Sequence, residues 1–138
     1  MTKVFVNGAF DILHAGHIRL LNYAKSLGTF LLVAIDSDRR ISALKGPKRP
    51  INMFSDRRLL LLNLRAVDHV WSFDTDEELD DICRIYRPNI MVKGSDYKDT
   101  IAIGQRWCDR VEYLDRTNDS TTKKIQSSSS SILSGNCA

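Results

Sequence analysis

A three-layer α/β fold built on a five-stranded parallel sheet is what this sequence predicts, on two observations. Apolar, strand-like runs alternate five times with helical patterns, which calls for right-handed crossovers between parallel strands. One of those runs, FLLVAI at residues 30–35, is apolar throughout, as a central strand covered on both faces must be.

The elements follow in order. KVFV at residues 3–6 reads as a short buried strand closed by Asn7 and Gly8. From His17 to Leu27, the apolar side chains Ile18, Leu20, Leu21, Ala24 and Leu27 keep helical spacing, and Gly28 is the expected stop. The central strand comes next. Residues 36–50 are polar and rich in Lys, Arg, Gly and Pro, so a mobile loop is expected there. Ser55 is a candidate N-cap for a helix running through the leucines of residues 59–64. HVWSF at residues 69–73 reads as the third strand. Thr75 and Glu78 have capping-box spacing and open a helix towards Tyr86, which Pro88 keeps from continuing. IMVK at residues 90–93, ending at Gly94, and RVEYL at residues 110–114 supply strands four and five, and a short helix is expected from Ser120.

Length and composition narrow the class. A chain of 138 residues is long enough for one core, and 43% hydrophobic with 27% charged residues is ordinary for a soluble globular protein. Residues 1–126 are expected to form the domain. Residues 127–138 contain a serine run that buries nothing and are expected to be a disordered tail. No apolar run approaches the roughly 20 residues of a membrane span, and the N-terminus does not read as a signal peptide, so no membrane association and a cytoplasmic location are expected. Cys83, Cys108 and Cys137 are scattered and form no CxxC pair, which argues against a zinc or disulfide framework. The net charge of +3 suits small anionic ligands and falls short of the basic stripe of a nucleic-acid binder.

The chemistry concentrates in NGAFDILHAGH, residues 7–17, which joins the first strand to the first helix and holds two of the three histidines. Open α/β sheets bind ligands beyond the carboxyl ends of their strands, where strand order reverses, and this connection is where the reversal is expected. Gly8 allows a tight turn and close approach of backbone to a ligand. Gly16 removes a side chain beside the helix start, whose amides suit anionic oxygens. His14 and His17 would face the mouth of the site as donors to phosphate oxygens. Two other readings compete: a metal site of Asp11, His14 and His17, or histidines that merely cap and pack. A bare HxxH spacing is common by chance, and the position after strand one between glycines favours phosphate binding.

GAFDILHAGH resembles the GxFDxxHxGH signature of the cytidylyltransferase-like nucleotidyltransferases. Likeness extends over residues 3–126. LKGPKRPIN (residues 44–52), AVDHVWSF (66–73) and VKGSDYK (92–98) are similar to the adenylyltransferase domain of the bifunctional ADP-heptose synthase. RT followed by STTKK (residues 116–124) is closer to the RTxGISTT motif of glycerol-3-phosphate cytidylyltransferase. The resemblance implies a Rossmann-like nucleotidyltransferase fold, Mg²⁺ as cofactor, and ATP or CTP with a phosphorylated sugar or polyol as substrates. It also implies a homodimer, to which the leucine-rich second helix would contribute.

Residue by residue, the resemblance makes His14, His17, Lys45 and Arg57 the catalytic, phosphate-holding set. Gly8, Ala9, Phe10, Gly16, Lys93, Gly94, Asp96, Ser120, Thr121 and Thr122 fall at nucleotide-binding positions. Asp11 falls near the metal, and Asp36, Asp38 and Arg116 are assigned to the acceptor. A cation such as Arg57 at a helix N-terminus is electrostatically odd unless an anion faces it. Two departures stand out. Thr117-Asn118-Asp119 is one residue shorter than the spacer of RTxGISTT and lacks its glycine, and Ala9 replaces a Thr or Cys. The function expected is adenylyl transfer to a heptose-type sugar 1-phosphate, with cytidylyl transfer to glycerol 3-phosphate or a similar polyol phosphate as the alternative. A nucleotide-binding module without turnover and a metal-dependent hydrolase are the readings outside this class.

Overall fold

The structure, a computed structural model, describes residues 1–115. The elements run β1 (Lys3–Gly8), α1 (Ala15–Ser26), β2 (Phe30–Asp36), α2 (Asp38–Lys45), α3 (Phe54–Leu62), β3 (His69–Phe73), α4 (Asp76–Tyr86), β4 (Ile90–Gly94) and β5 (Arg110–Leu114). Two short 3₁₀ turns, Ser95–Tyr97 and Gln105–Trp107, lie between β4 and β5. All five strands are parallel, in the order β3-β2-β1-β4-β5. The order therefore reverses at β1, as expected. Register brings Gly8 beside Ile35, Asp36 beside Phe73 and Gly94 beside Leu114, so these strand ends share one sheet edge.

The three layers follow from strand alternation, since successive side chains point to opposite faces. Val4, Val6, Leu31, Val33 and Ile35 pack on one face against Leu20, Leu21 and Ala24 of α1 and Leu61 of α3. Phe5, Leu32, Ala34 and Met91 pack on the other against Leu79, Ile82 and Cys83 of α4. Such burial of large apolar side chains contributes about 1.5–3 kcal/mol each.

Four boundaries depart from expectation. Residues 36–50 are not simply a loop, because α2 occupies Asp38–Lys45. Ser37 caps it by accepting from the Arg40 amide, Asp38 and Lys45 complement its dipole at the two ends, and Ile41 alone is buried. The next helix is capped by Met53, with no side-chain bond, and not by Ser55. The first helix starts at Ala15 rather than His17. Gly28 does not end α1 through a left-handed cap, since Leu27 is the C-cap. A Cβ at Gly28 would lie 2.5 Å from the Thr2 carbonyl oxygen, so close packing requires the glycine. Thr75 caps α4 as expected by accepting from the Glu78 amide, while the Glu78 carboxylate reaches the Asp74 amide. The expected helix from Ser120, the tail, and the candidates Arg116, Ser120, Thr121 and Thr122 lie outside the described residues. No described helix is long and apolar enough to cross a membrane.

Candidate active site

The two histidines of the motif build the start of α1. His14 is the N-cap residue, and its Nδ1 accepts from the Gly16 amide at 3.0 Å. His17, one turn in, accepts from the His14 amide through Nδ1 at 3.2 Å. The rings lie 4.0 Å apart, and His17 also packs against Phe10 at 5.1 Å. The capping reading is thus true of both residues, and it has a chemical consequence. A neutral imidazole whose Nδ1 accepts must carry its proton on Nε2, so the caps fix both rings as Nε2–H donors. Ahead of them Phe10 holds φ at +50°, a left-handed conformation that costs a non-glycine residue free energy and is characteristic of functional loops.

Asp11 is anchored, not open. Its carboxylate accepts from Arg49 Nε at 2.9 Å and from the amides of Ile51 and Asn52, while its carbonyl accepts from Asn52 Nδ2 at 2.7 Å. Both partners are buried, Asp11 at 4% and Arg49 at 6% exposure. Burial pushes the Asp11 carboxyl up, but the Asn52 and Ile51 amides and the Arg49 guanidinium outweigh it and hold the group below the usual range. The metal role expected of Asp11 is therefore not what its surroundings provide.

Arg57 lies fully buried beneath the same loop. It donates to the carbonyls of Asn52 (3.0 Å), Ala9 (2.9 Å) and Asp36 (2.8 Å) and to the Asp38 carboxylate (2.7 Å). The anion that explains a cation in the first turn of α3 is thus Asp38, a residue of the chain itself. Arg57 staples the motif loop, the end of β2 and the start of α2 together.

Beyond these strand ends lies a cavity of about 220 Å³ walled by Gly8, Ala9, Asp36, Arg40, Lys45 and Lys93, among others. Three cations face one carboxylate, so the cavity favours an anion. Lys93 donates to Asn7 Oδ1 at 2.9 Å and lies over the Tyr97 ring, and burial lowers its ammonium below the usual range. Asp36 is pushed up by burial, partly offset by Arg40 at 3.2 Å. Arg40 is also bound to Asp76 at 2.7 Å. A wider recess of about 610 Å³ opens between α4 and residues 101–106. Four carboxylates line it, Asp76, Glu77, Asp80 and Asp81, against the single cation Arg106, so this recess is acidic where the smaller cavity is rich in cations.

Residues 5–133 match the family model described as cytidylyltransferase-like. The chain belongs to the cytidylyltransferase-like family. A curated relative, the bifunctional protein HldE of Sulfurimonas denitrificans, is 43% identical over 124 residues, covering 89% of this chain and 26% of the relative. HldE of Campylobacter jejuni is 43% identical over 122 residues, with 88% and 26% covered. The chain thus spans about a quarter of the length of the curated relatives it matches. A solved structure, the lipopolysaccharide core biosynthesis protein of Thermoplasma volcanium, superposes with a TM-score of 0.66 at 26% identity, covering 85% of this chain and 97% of that one. Family and relatives together place the chain among the cytidylyltransferase-like proteins, on a Rossmann-like fold.

In this family member the structure gathers Gly8, Ala9, Asp36, Lys45 and Lys93 around one cavity. His14, Gly16 and His17 follow on the same βα connection at the start of α1 and are not among the residues that line this cavity, and Phe10 lies buried before them. Gly94 ends β4 beside Lys93, and Asp96 lies exposed on the turn that follows. Asp38 and Arg57 brace the cavity from behind rather than line it. Sequence reasoning missed Arg40 and Arg49. Arg49 falls within the KGPKRPIN stretch that carried the resemblance, but nothing in that stretch announces its partner 38 residues away. Among the described residues no group of three His, Cys, Asp or Glu side chains is placed to hold a metal, and Asp11 is saturated. The described residues do not fit a resident Mg²⁺.

Proposed function

We propose that the chain transfers a nucleoside monophosphate from a nucleoside triphosphate to a phosphate monoester and releases pyrophosphate. One observation carries the reading: a cation-rich cavity that takes the end of β1 and the start of the first βα connection, Asn7, Gly8 and Ala9, into its wall at the point where strand order reverses. An acceptor phosphate oxygen attacks the α-phosphorus, a new P–O bond forms, and the bond to the β-phosphate oxygen breaks. No covalent intermediate with the protein is required, so catalysis is alignment and charge stabilisation. The Nε2–H groups of His14 and His17 donate to phosphate oxygens. Lys45 and Lys93 offset charge growing on the α-phosphate and the departing pyrophosphate, and Arg40 leaves its carboxylates to join them. Gly8, Ala9, Phe10 and Gly16 keep the backbone close to the nucleotide, with Gly94 and Asp96 on its far side and Asp36 towards the acceptor. Mg²⁺ belongs in this reading to the triphosphate as counter-ion, consistent with its preference for phosphates and water over an all-protein cage.

Adenylyl transfer to a heptose-type sugar 1-phosphate is favoured by the likeness of residues 44–52, 66–73 and 92–98 to ADP-heptose synthase, and by the HldE relatives. Cytidylyl transfer to glycerol 3-phosphate or a similar polyol phosphate is the second reading, favoured by residues 116–124. A homodimer is proposed with the exposed Leu59 and Leu60 of α3 at its interface. Incubation with ATP or CTP, Mg²⁺ and a panel of phosphomonoesters, followed by pyrophosphate assay, tests the reaction class. Release with a matched acceptor alone supports transfer, acceptor-independent release indicates hydrolysis, and nucleotide binding without release indicates a binding module. A larger thermal shift with ATP than with CTP supports the first substrate reading, and the reverse order supports the second.

A further inference from the structure

We propose that Arg49 is a positioning residue of the transfer site, acting through Asp11 to set where the rings of His14 and His17 stand. Its kinetic consequence rests on the nucleotidyl-transfer reading, whereas its geometric consequence does not.

Residues 9–14 form neither helix nor strand, yet they lead directly into the histidine cap. Such a segment is held by the burial of Phe10 and by what its polar groups meet, Arg57 at the Ala9 carbonyl among them. Asp11 anchors its middle, and Arg49, Ile51 and Asn52 donate to the Asp11 carboxylate. Among these only Arg49 brings a charge and a side chain. Arg49 is in turn fixed to the end of α2, donating its amide to the Gly46 carbonyl at 3.1 Å and accepting at its own carbonyl from Ser42 Oγ. Lys45 is the last residue of that helix. One guanidinium thus joins the segment that carries Lys45 to the segment that carries both histidines.

Arg49 does not touch substrate in this arrangement, being 6% exposed. Stability alone is a poor reason for an arginine here. Its Nη1 is buried with no hydrogen-bond partner among the described residues, and a buried ion pair is often no better than an apolar pair of equal volume. What the pair supplies is a fixed distance between two loops. Near-attack geometry is sensitive to misplacement of about 1 Å, which costs on the order of 10²-fold in rate.

The test compares wild type with Arg49→Met, Arg49→Lys, Asp11→Asn and the Arg49→Met/Asp11→Asn double variant, using nitrogen-15 spectra of the imidazole rings. His69, exposed on β3, serves as internal control. In Arg49→Met the His14 and His17 signals should shift or broaden while His69 keeps its position, and Arg49→Lys should restore them in part. In turnover, kcat should fall on the order of 10–10²-fold while the KM for nucleotide changes less than kcat, and the double variant should be no slower than the slower single one. Unchanged His14 and His17 signals, or rate losses that multiply in the double variant, overturn the proposal. If Arg49→Met fails to fold, the same signature in Arg49→Lys decides. If the wild type releases no pyrophosphate with any pairing of substrates, the transfer reading fails, and the ring signals still decide for or against Arg49.

Discussion

At His17 and Asp11, chemistry and architecture use the same atoms. His17 is 2% exposed and caps α1 through Nδ1, which leaves the proton of a neutral ring on Nε2. His17→Ala should lower kcat by about 10²–10³, the typical loss of one well-placed oxyanion donor. It should also lower stability by about 1 kcal/mol through the lost cap, measured by denaturant unfolding. Full activity at reduced stability would reduce the residue to its capping role. Asp11 is the pH-sensitive member. Its folded pKa is depressed below 3.8, so its stabilisation is fully present above the unfolded value and is lost as pH falls through the folded one. Asp11→Asn should therefore be less stable than wild type by about 3–5 kcal/mol near neutral pH, and the two unfolding curves should converge below the ordinary aspartate range. A gap that persists undiminished in acid would contradict that assignment.

Among the elements, α2 shows where periodicity stops being informative. Eight residues with only Ile41 buried give no apolar stripe, so the sequence reads as a loop, although Ser37, Asp38 and Lys45 mark its ends. The five strands were legible because each is built on β-branched, aromatic or other apolar residues between polar or glycine-marked boundaries, and α4 because Thr75 and the acidic first turn announce it. The motif was legible as the connection from the first strand to the first helix where strand order reverses, and the family signature singled out His14 and His17. The bracing beneath them was not legible, because Arg57 and Arg49 act through partners up to 48 residues distant that only the closed sheet brings near. Arg57→Met should destabilise by about 3–5 kcal/mol, since it leaves the Ala9, Asp36 and Asn52 carbonyls and the Asp38 carboxylate without their donor. Loss of activity with stability unchanged would instead indicate direct contact with phosphate.

For the whole molecule, no group of three His, Cys, Asp or Glu side chains among the described residues is placed to hold a structural metal. Treatment with EDTA and gel filtration should leave Tm unchanged in the absence of nucleotide, and a fall in Tm would reveal a resident structural ion. Leu59 and Leu60 are 60% and 45% exposed on α3, beside Met53 at 56%, an apolar strip that a second copy would cover. Light scattering at micromolar concentration should give twice the chain mass, and Leu59→Glu should return it to the monomer value. A wild type that is monomeric throughout would remove the dimer.

In nucleotidyl transfer the α-phosphorus itself moves from the triphosphate to the acceptor. The direct measurement uses nucleoside triphosphate labelled at the α-phosphate, incubated with the protein and a sugar 1-phosphate or polyol phosphate, with products separated and counted. Label should appear in a new nucleotide-linked sugar or polyol, formed in step with pyrophosphate. Label found only in free nucleoside monophosphate, or remaining in the triphosphate with every acceptor, would contradict nucleotidyl transfer.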